Sequence, residues 1–565
     1  MQGGGDAAQP GAAAAPAAAG TLADLAARID NSYLRQLRAD PLGAENAPNT
    51  TAREVFSGHY VRVAPRALRE PYLVAYSAEL AGELGLAPAA CEGAAFLRVF
   101  SGDLGGAPAG FEREGWATPY ANSIYGDPVL NPAPGVGPSG YGYGDGRAIS
   151  LCEVLLPGAP PGPGRLELQL KGAGPTPFRR SGDGQAVLRS SVREFLASEA
   201  MHALGVPTTR TLCLLASASP ADTTVRPWFN EAGAEVMVRN IRAVTTRVAR
   251  SLLRVGQFEL YGRRAARGEA AGLAELALLA RHALAREYPH LAPGEGDASP
   301  GALQGAVLGM LREAGARLAA LATHWLRVGY VQSNFNSDNC LVGGVTMDYG
   351  PFGFMERYDP RWGMWVGSGE HFAYGNQPTA AGVNFSMLAQ SLLPLLDATG
   401  REQARALVEG YPALARAAVA AMWGSKLGFP QGARTPAFAA VANALNELMA
   451  SHPTDFVLCW RLLARALPEG GALGAAALDS QQQAALLTRC LDALQPAFYL
   501  PLGEGKEKEW RGCAFVSRAP PAPPRAATGT RAGSPPPFHY PPPPFSTLGL
   551  RRAGLLAPGA RCRGR

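Results

Sequence analysis

Lysine is rare in this chain, and one of its lysines stands where a phosphate-binding cation would be useful. The 565 residues include 52 lysines and arginines. Only four of these are lysines: Lys171, Lys426, Lys506 and Lys508. Lys171 ends the segment 165–171, whose strict alternation of apolar and polar residues predicts a β-strand. A lysine ammonium is a compact point charge that suits a phosphate oxygen, although the end of a surface strand is the plainer interpretation.

The neighbours of Lys171 favour nucleotide binding. A glycine-rich turn, Gly140 to Gly146, precedes the strand, and Glu194 lies 23 residues after the lysine on a predicted helix over 186–204. A glycine loop, a strand lysine and a helix glutamate, in this order, form the arrangement that cradles nucleotide phosphates in protein kinases.

A second group of polar residues has the side chains that a phosphoryl-transfer site needs. The segment 336–339 reads Asn-Ser-Asp-Asn, and an Asp-Tyr-Gly sequence begins at Asp348. Asp338 could receive a hydroxyl proton, while Asn339 and Asp348 offer oxygen ligands for a divalent cation across the phosphates. Asn-Ser-Asp-Asn alone is also an ordinary turn sequence. The sequence has no His-Arg-Asp motif, which excludes an ordinary protein kinase.

Two arginines form a third candidate group. Arg247 and Arg254 lie seven residues apart in the segment 243–262, whose pattern predicts a helix. Seven residues correspond to two helical turns, so we expect both side chains on one face. Such a face is usually solvated, but two arginines directed at a cleft would clamp a triphosphate.

The elements that must position these groups divide the chain into two parts. The first half alternates short strands with glycine turns, and the leucines of 165–171 face a core while Glu167, Gln169 and Lys171 face the other side. The second half is mostly helical, with predicted helices at 243–262, 268–286, 302–329, 384–395 and 402–421. Strands followed by helices predict an α+β body in two lobes.

Composition separates this body from its ends. Residues 1–20 are mostly Ala, Gly and Pro, and residues 516–565 are rich in Pro and Arg, so we predict that both segments are disordered. The N-terminal lobe would then span 21–240 and the C-terminal lobe 241–515. The net charge of +6 belongs to the tail, because nine arginines and no acidic residue follow residue 510 and the rest carries −3. An acidic body argues against a nucleic-acid-binding core.

Cysteine spacing and hydropathy exclude further classes of protein. The eight cysteines form no CxxC pair, which argues against a zinc site and leaves reduced, buried thiols as the expectation. No stretch of about 18 uninterrupted apolar residues is present, so no membrane span is expected. The N-terminus lacks the charged region of a secretory signal, and its first arginine is Arg28, which makes a poor transit peptide.

Three stretches of the sequence resemble a known family. They are 170–178 (Leu-Lys-Gly-Ala-Gly-Pro-Thr-Pro-Phe), 182–205, which contains Val-Leu-Arg-Ser-Ser-Val-Arg-Glu-Phe-Leu, and 346–354 (Thr-Met-Asp-Tyr-Gly-Pro-Phe-Gly-Phe). On these stretches the chain resembles the selenoprotein O (SelO, YdiU) family, from Asp30 through at least Asn384 and more weakly beyond.

The resemblance implies a protein-kinase-like fold that transfers AMP, rather than phosphate, from ATP to hydroxyl groups of proteins. ATP would lie inverted in the cleft and expose its α-phosphate to the acceptor. By motif match, Asp338 would be the general base, and Asn339 and Asp348 would bind Mg²⁺ or Mn²⁺. The residues expected to hold the nucleotide are Gly144, Gly146, Arg147, Lys171, Asp183, Gly184, Glu194, Arg247, Arg254 and Asp348.

The chain departs from the family pattern in three places. Family members commonly carry His-Gln-Phe-Gly before the glycine loop, where this chain has Ile124-Tyr-Gly and a Pro/Gly-rich loop. A position that is commonly histidine is Gln332 here. Some members end in a redox-active selenocysteine motif, whereas Cys562 is an ordinary cysteine in the tail, and we assign it no role.

Two other functions stay open on the residues alone. One is a protein-kinase-type phosphotransferase, because the residue types barely separate it from an adenylyltransferase. The other is a non-catalytic nucleotide-binding scaffold that acts through its Pro/Arg tail. The family resemblance favours a mitochondrion or another organelle, while the poor transit peptide favours the cytoplasm.

Overall fold

The computed structural model describes most of the chain between residues 20 and 466. Within this range it leaves out residues 125–126, 129–142, 159–163, 231–232, 295–298, 365–369, 428–441, 444, 448 and 451–453. The two predicted disordered ends therefore lie outside the described residues, apart from Gly20, as do the first three residues of the glycine-rich turn and the end of the predicted C-terminal lobe.

Antiparallel strands dominate the N-terminal half. In chain order they are β1 (Val61–Val63), β2 (Pro71–Tyr76), β3 (Gly115–Ala117), β4 (Ser123–Ile124), β5 (Asp127–Pro128), β6 (Ala148–Leu155), β7 (Arg165–Lys171), β8 (Ala186–Val187), β9 (Arg210–Ser217), β10 (Thr223–Phe229), β11 (Glu235–Ala249), β12 (Tyr330–Gln332) and β13 (Phe352–Phe354). In the described part of the chain, nine of them form one sheet, ordered β1-β3-β6-β7-β11-β9-β2, with β8 and β10 paired to β11. β11 joins the two halves of this sheet because it pairs with both β7 and β9.

Helices flank the sheet and form most of the rest. In chain order they are α1 (Leu22–Ala26), α2 (Ser32–Gln36), α3 (Ala78–Glu83), α4 (Pro88–Cys91), α5 (Ala94–Ser101), α6 (Leu188–Ala203), α7 (Val255–Ala266), α8 (Gly272–Glu287), α9 (Pro300–Val328), α10 (Gln377–Leu392), α11 (Ala398–Lys426) and α12 (Phe456–Ala466).

The sheet has one apolar face and one face that is partly polar. On the apolar face, Leu168, Leu170 and Val248 pack with Phe96 and Phe100 of α5 in one buried cluster. Each fully buried side chain of this kind contributes roughly 1.5–3 kcal/mol of transfer free energy. α6 covers part of the opposite face, beside β9 and β11. The remainder of that face looks toward the helical half.

The helical half is built around α9. Ser299 caps its N-terminus by accepting a hydrogen bond from Ala302 N, Pro300 occupies its first turn, and Gly329 ends it with a φ of +73°. Its buried side chains join those of α7, α8, α10 and α11 in the largest apolar cluster. The helices thus form a rigid base beneath the polar face of the sheet.

The predicted α+β class is confirmed, and most predicted helices are found with ends shifted by a few residues. The predicted helix at 186–204 corresponds to α6, which begins after the short strand β8. In the described ranges, no helix combines the length and the apolarity needed to cross a membrane. The five described cysteines are free and buried, as expected: Cys91, Cys152, Cys213, Cys340 and Cys459.

The prediction of a helix over 243–262 is wrong. β11 continues through Ala249, and α7 begins only at Val255. Residues 244–248 include two threonines and two valines that favour a strand, and the whole run is buried between β7 and β9, where backbone pairing overrides helical periodicity. Arg247 and Arg254 therefore do not share a helical face. β11 also runs through residue 240, the predicted lobe boundary.

The polar face of β7 is buried rather than solvent-facing. Glu167 is 4% exposed and accepts hydrogen bonds from Ser150 Oγ (2.6 Å) and Leu252 N (3.1 Å). Burial raises the pKa of Glu167 to about 7, Glu153 adds to the rise, and Arg286 opposes it. This strand therefore holds a titratable carboxyl against the segment that connects β11 to α7.

Glu167→Gln should change how the stability of the protein depends on pH. Because the folded-state pKa is raised, the parent loses stability as the pH rises through about 7. The variant should therefore gain roughly 1–3 kcal/mol in free energy of unfolding relative to the parent between about pH 5 and about pH 8.

Urea unfolding at several pH values measures this difference, with Glu409→Gln on the exposed face of α11 as the control. If parent and variant show parallel pH dependence, Glu167 titrates like an ordinary carboxyl.

Candidate functional site

An ion pair lies at the floor of the cleft between the sheet and the helices. Lys171 ends β7, and its Nζ is 2.5 Å from Oε2 of Glu194 on α6. The lysine side chain is 9% exposed and the glutamate side chain 5%. In such a site, water competes little for the charged groups, so their positions are well defined.

Arg247 reaches the same glutamate from the neighbouring strand. It lies opposite Gln169 of β7, and its Nε is 2.5 Å from Glu194 Oε1. Each carboxylate oxygen of Glu194 thus binds its own cation. Burial raises the pKa of Glu194, but Arg247 and Lys171 outweigh burial and hold this pKa below its usual value. The strand that replaced the predicted helix is what brings Arg247 here.

Asp348 completes this cluster from the helical half. Its Oδ1 is 3.4 Å from both Lys171 Nζ and Arg247 Nη2. Burial raises the pKa of Asp348, but Lys171, Arg247 and Arg147 together lower it to about 2. Asp348 is therefore ionised at any physiological pH. Arg147, by contrast, is exposed and forms no ion pair with a described residue.

Asp338 stands apart from these pairs. It lies in a 3-10 turn, Ser337–Asn339, is 9% exposed, and its Oδ1 has no hydrogen-bond partner among the described residues. Burial raises the pKa of Asp338 to about 6; Arg254 opposes this rise and Asp348 adds to it. An unpartnered carboxyl that titrates near neutrality is suited to accept a proton.

Residues of α7 hold the turn that contains Asp338 in place. Ser337 Oγ donates to Glu259 Oε2 (2.6 Å), which also accepts from Ser123 Oγ (2.9 Å). At Gly256 a Cβ would meet the Ala121 carbonyl oxygen at 2.8 Å and the Asp338 Cα at 3.1 Å, so glycine allows both backbones to approach α7 closely. No sequence pattern predicts this role of Glu259, because the contact joins residues 78 positions apart.

Arg254 precedes α7 and extends toward the glycine loop. Its Nη2 is 2.5 Å from Asp145 Oδ1, and its guanidinium lies 4.5 Å from the ring centre of Tyr120. Asp145 also accepts hydrogen bonds from the Thr118 backbone and hydroxyl. Arg254 therefore links the glycine loop to the Asp338 side of the cleft.

The glycines of the loop are required by close packing. At Gly144 a Cβ would meet the Phe178 ring at 2.4 Å, and at Gly146 it would meet the Phe178 carbonyl oxygen at 2.7 Å. The loop thus lies flat against the segment that follows β7.

The structure does not bring Asp183 into the ion cluster. Asp183 pairs with Arg226 of β10 through both carboxylate oxygens (2.6 and 3.0 Å). Burial raises the pKa of Asp183, but hydrogen bonds from Arg226 and Thr224 lower it to about 2. Gly184, with a φ of +72°, packs against the Pro175 backbone. Both residues hold the loop between β7 and β8 in place.

Two glutamines position Asp348. Gln332, where the family commonly has histidine, donates from Nε2 to the Asp348 carbonyl (2.7 Å). Gln377 accepts from Gln332 N (2.9 Å) and donates to the Tyr330 carbonyl (2.9 Å). Gln332 therefore satisfies a backbone group beside the site. Gln377 lies within the range of the family resemblance, but the resemblance implied no role for it.

Asn339 and Asp348 could hold a divalent cation. The Asn339 amide nitrogen donates to the Asn334 carbonyl (3.0 Å), which leaves its amide oxygen for a ligand role. Asp348 offers an ionised carboxylate, and a β-bridge between Cys340 and Thr346 joins the segments that carry the two residues. Carboxylate and amide oxygens are the ligands that Mg²⁺ and Mn²⁺ prefer, so the donor set fits such an ion.

Comparison with known proteins identifies the family. The sequence model described as Protein adenylyltransferase SelO matches residues 46–489. The chain belongs to the SelO family. The resemblance seen in the three sequence stretches is thereby confirmed.

Similar proteins share most of the SelO-family region. A protein of Azoarcus sp. is 38% identical over 440 residues, which cover 77% of this chain and 75% of its own length. One of Aromatoleum aromaticum is 35% identical over 476 residues (83% and 79%), and one of Xanthomonas axonopodis is 39% identical over 370 residues (65% and 63%). All three are named Protein nucleotidyltransferase YdiU. The SelO-family assignment thus supports a nucleotidyltransferase.

Gln377→Leu should destabilise the site that this SelO-family chain builds around Asp348. The substitution leaves the Gln332 N–H and the Tyr330 carbonyl buried without partners, which costs about 1–3 kcal/mol per group. Gln390→Leu on the same helix is the control, because Gln390 is half-buried and bonds only Ser386 Oγ (3.2 Å) among the described residues.

Chemical denaturation of both variants measures the loss, which should exceed the control by at least about 1 kcal/mol. Equal losses would show that the Gln377 hydrogen bonds add nothing to stability.

Proposed function

We propose that this chain transfers AMP from ATP to serine, threonine or tyrosine hydroxyls of proteins. The hydroxyl oxygen forms a new ester bond to the α-phosphorus. The bond from that phosphorus to the α,β-bridging oxygen breaks, and pyrophosphate leaves. The hydroxyl proton goes to Asp338. The family description names an adenylyltransferase that acts on protein, in agreement with this reaction.

The observation that carries the proposal is the burial of the phosphate-binding cations. Lys171, Arg247 and Arg254 are each 7% exposed or less. A phosphate group that binds them lies deep in the cleft, out of reach of a protein hydroxyl. A kinase must expose its terminal phosphate to the acceptor, whereas an adenylyltransferase can bury the β- and γ-phosphates and release them together.

The state of Asp338 supports its role as the general base. Its unpartnered Oδ1 can accept a hydrogen bond from an incoming hydroxyl, and a pKa of about 6 leaves it mostly ionised at neutral pH. The pair Asn339 and Asp348 would hold Mg²⁺ or Mn²⁺, which neutralises phosphate charge when bound. Retention of all three groups disfavours a non-catalytic scaffold.

We predict that intact-mass spectrometry of an acceptor protein will show the addition of adenylate, with pyrophosphate as the co-product. Label from α-labelled ATP should become protein-bound, and label from γ-labelled ATP should not. Asp338→Ala should reduce transfer by about 100-fold or more, whereas the exposed control Asp359→Ala should not change it.

The opposite labelling pattern, with ADP released, would identify a protein-kinase-type phosphotransferase instead. Binding of ATP with no transfer of either label to any protein, including the chain itself, would identify a scaffold.

Asp348→Ala should separate metal-dependent from metal-independent nucleotide binding. Removal of the carboxylate removes a metal ligand, and it also frees Lys171 and Arg247 from one counter-charge. Calorimetry should therefore show that Mg²⁺ no longer improves ATP affinity, while ATP without metal binds at least as tightly as to the parent. If Mg²⁺ improves affinity as much as in the parent, Asp348 is not a metal ligand.

A further inference from the structure

One arginine of the cleft is not explained by any contact described so far. Arg180 lies in the loop between β7 and β8, and it is half-buried. Among the described residues, no carboxylate forms an ion pair with it. Lys171, Arg247 and Arg254, by comparison, are each bound to a carboxylate of the protein. Arg180 is therefore a cation whose charge is not neutralised by the fold.

Aromatic stacking places Arg180 on the Asp338 side of the cleft. Its guanidinium lies 5.1 Å from the ring centre of Tyr143, which packs against Tyr120. On the other side, Arg254 lies over Tyr120. The residue after Tyr120 hydrogen-bonds to Gly256, the glycine against which Asp338 packs. These contacts join the Arg180 guanidinium, through two tyrosines and Gly256, to the turn that carries Asp338.

The backbone at Arg180 is held in a costly conformation. Its φ is +54°, in the left-handed region where a non-glycine residue costs roughly 1–2 kcal/mol. Glycine would be the cheaper residue in this loop, which already uses it two and four positions later. A strained arginine without a carboxylate partner, at the edge of a nucleotide site, indicates a role in ligand binding rather than in folding.

We propose that Arg180 binds a non-bridging oxygen of the phosphate that is transferred. This inference rests on the proposed function, under which that group is the α-phosphate beside Asp338. The guanidinium would neutralise charge that develops on the phosphate oxygens as the bond to the leaving pyrophosphate breaks. The deeper cations Lys171 and Arg247 are left to hold the departing group.

Three variants test the role of Arg180. Arg180→Ala should lower the single-turnover rate of transfer by about 100-fold or more at saturating ATP. Arg180→Gly should lose the same activity and unfold at a temperature no lower than the parent, because it removes the backbone strain. Arg179→Ala is the matched control, since the Arg179 side chain donates only to the Thr50 and Gly182 carbonyls among the described residues (3.0 and 2.9 Å), and the variant should stay within about fivefold of the parent.

Sulfur substitution shows which phosphate Arg180 contacts. The parent should discriminate between the two diastereomers of ATP carrying sulfur on the α-phosphate, and Arg180→Gly should lose most of that discrimination. ATP with sulfur on the γ-phosphate has no diastereomers, so if the protein proves to be a kinase, Arg180→Gly should instead reduce the rate difference between ATP and this γ-sulfur analogue. Failure of the proposed function and failure of this inference are therefore distinguishable.

Two results would overturn the inference: an Arg180→Gly protein that transfers at the parent rate, or an Arg179→Ala protein that is as impaired as Arg180→Gly. If the parent transfers AMP, unchanged diastereomer discrimination in Arg180→Gly would also overturn it.

Discussion

The site depends on one buried carboxylate that is shared by two cations. Glu194 binds Lys171 through one oxygen and Arg247 through the other, and these three residues come from α6, β7 and β11. Neither cation could stay charged at so buried a position without the negative charge of Glu194. The arrangement fixes the distance between two adjacent strands and the helix that crosses them. It also leaves each cation with a donor near Asp348 Oδ1, at 3.4 Å.

The strand and loop around Lys171 and the fold class could be predicted from the sequence because their signals are local. The alternation of 165–171 specifies a strand, the glycines specify a loop, and Lys171 is conspicuous in a chain that uses arginine nearly everywhere. The α+β class follows from the change of periodicity between the two halves. Local signals failed at 243–262, where strand pairing with β7 and β9 on both sides decided the structure of the first half of the segment. No sequence window contains that information.

The residues that position the site could not be predicted from the sequence, for a similar reason. Glu259 holds Ser337, Gln377 holds Gln332, and Asp145 holds Arg254, yet the partners are separated by between 45 and 109 residues. Each is a polar side chain that satisfies a buried donor or acceptor created by the fold. Such residues look unremarkable in sequence, because the group that needs them exists only once the chain has folded. The family resemblance covered them without explaining them.

The course of β11 limits how the length of this protein can change. Along this strand, side chains alternate between the cleft, which Arg247 faces, and the apolar layer beneath α5, which Val244 and Val248 enter. Removal of a single residue between Arg242 and Arg247 would turn the arginine into that layer and a valine into the cleft. Loss of a residue before Glu235, where β11 begins, would leave these side-chain orientations unchanged. Insertions and deletions in relatives should therefore collect at the exposed end of β11 and be excluded from its last eight buried positions.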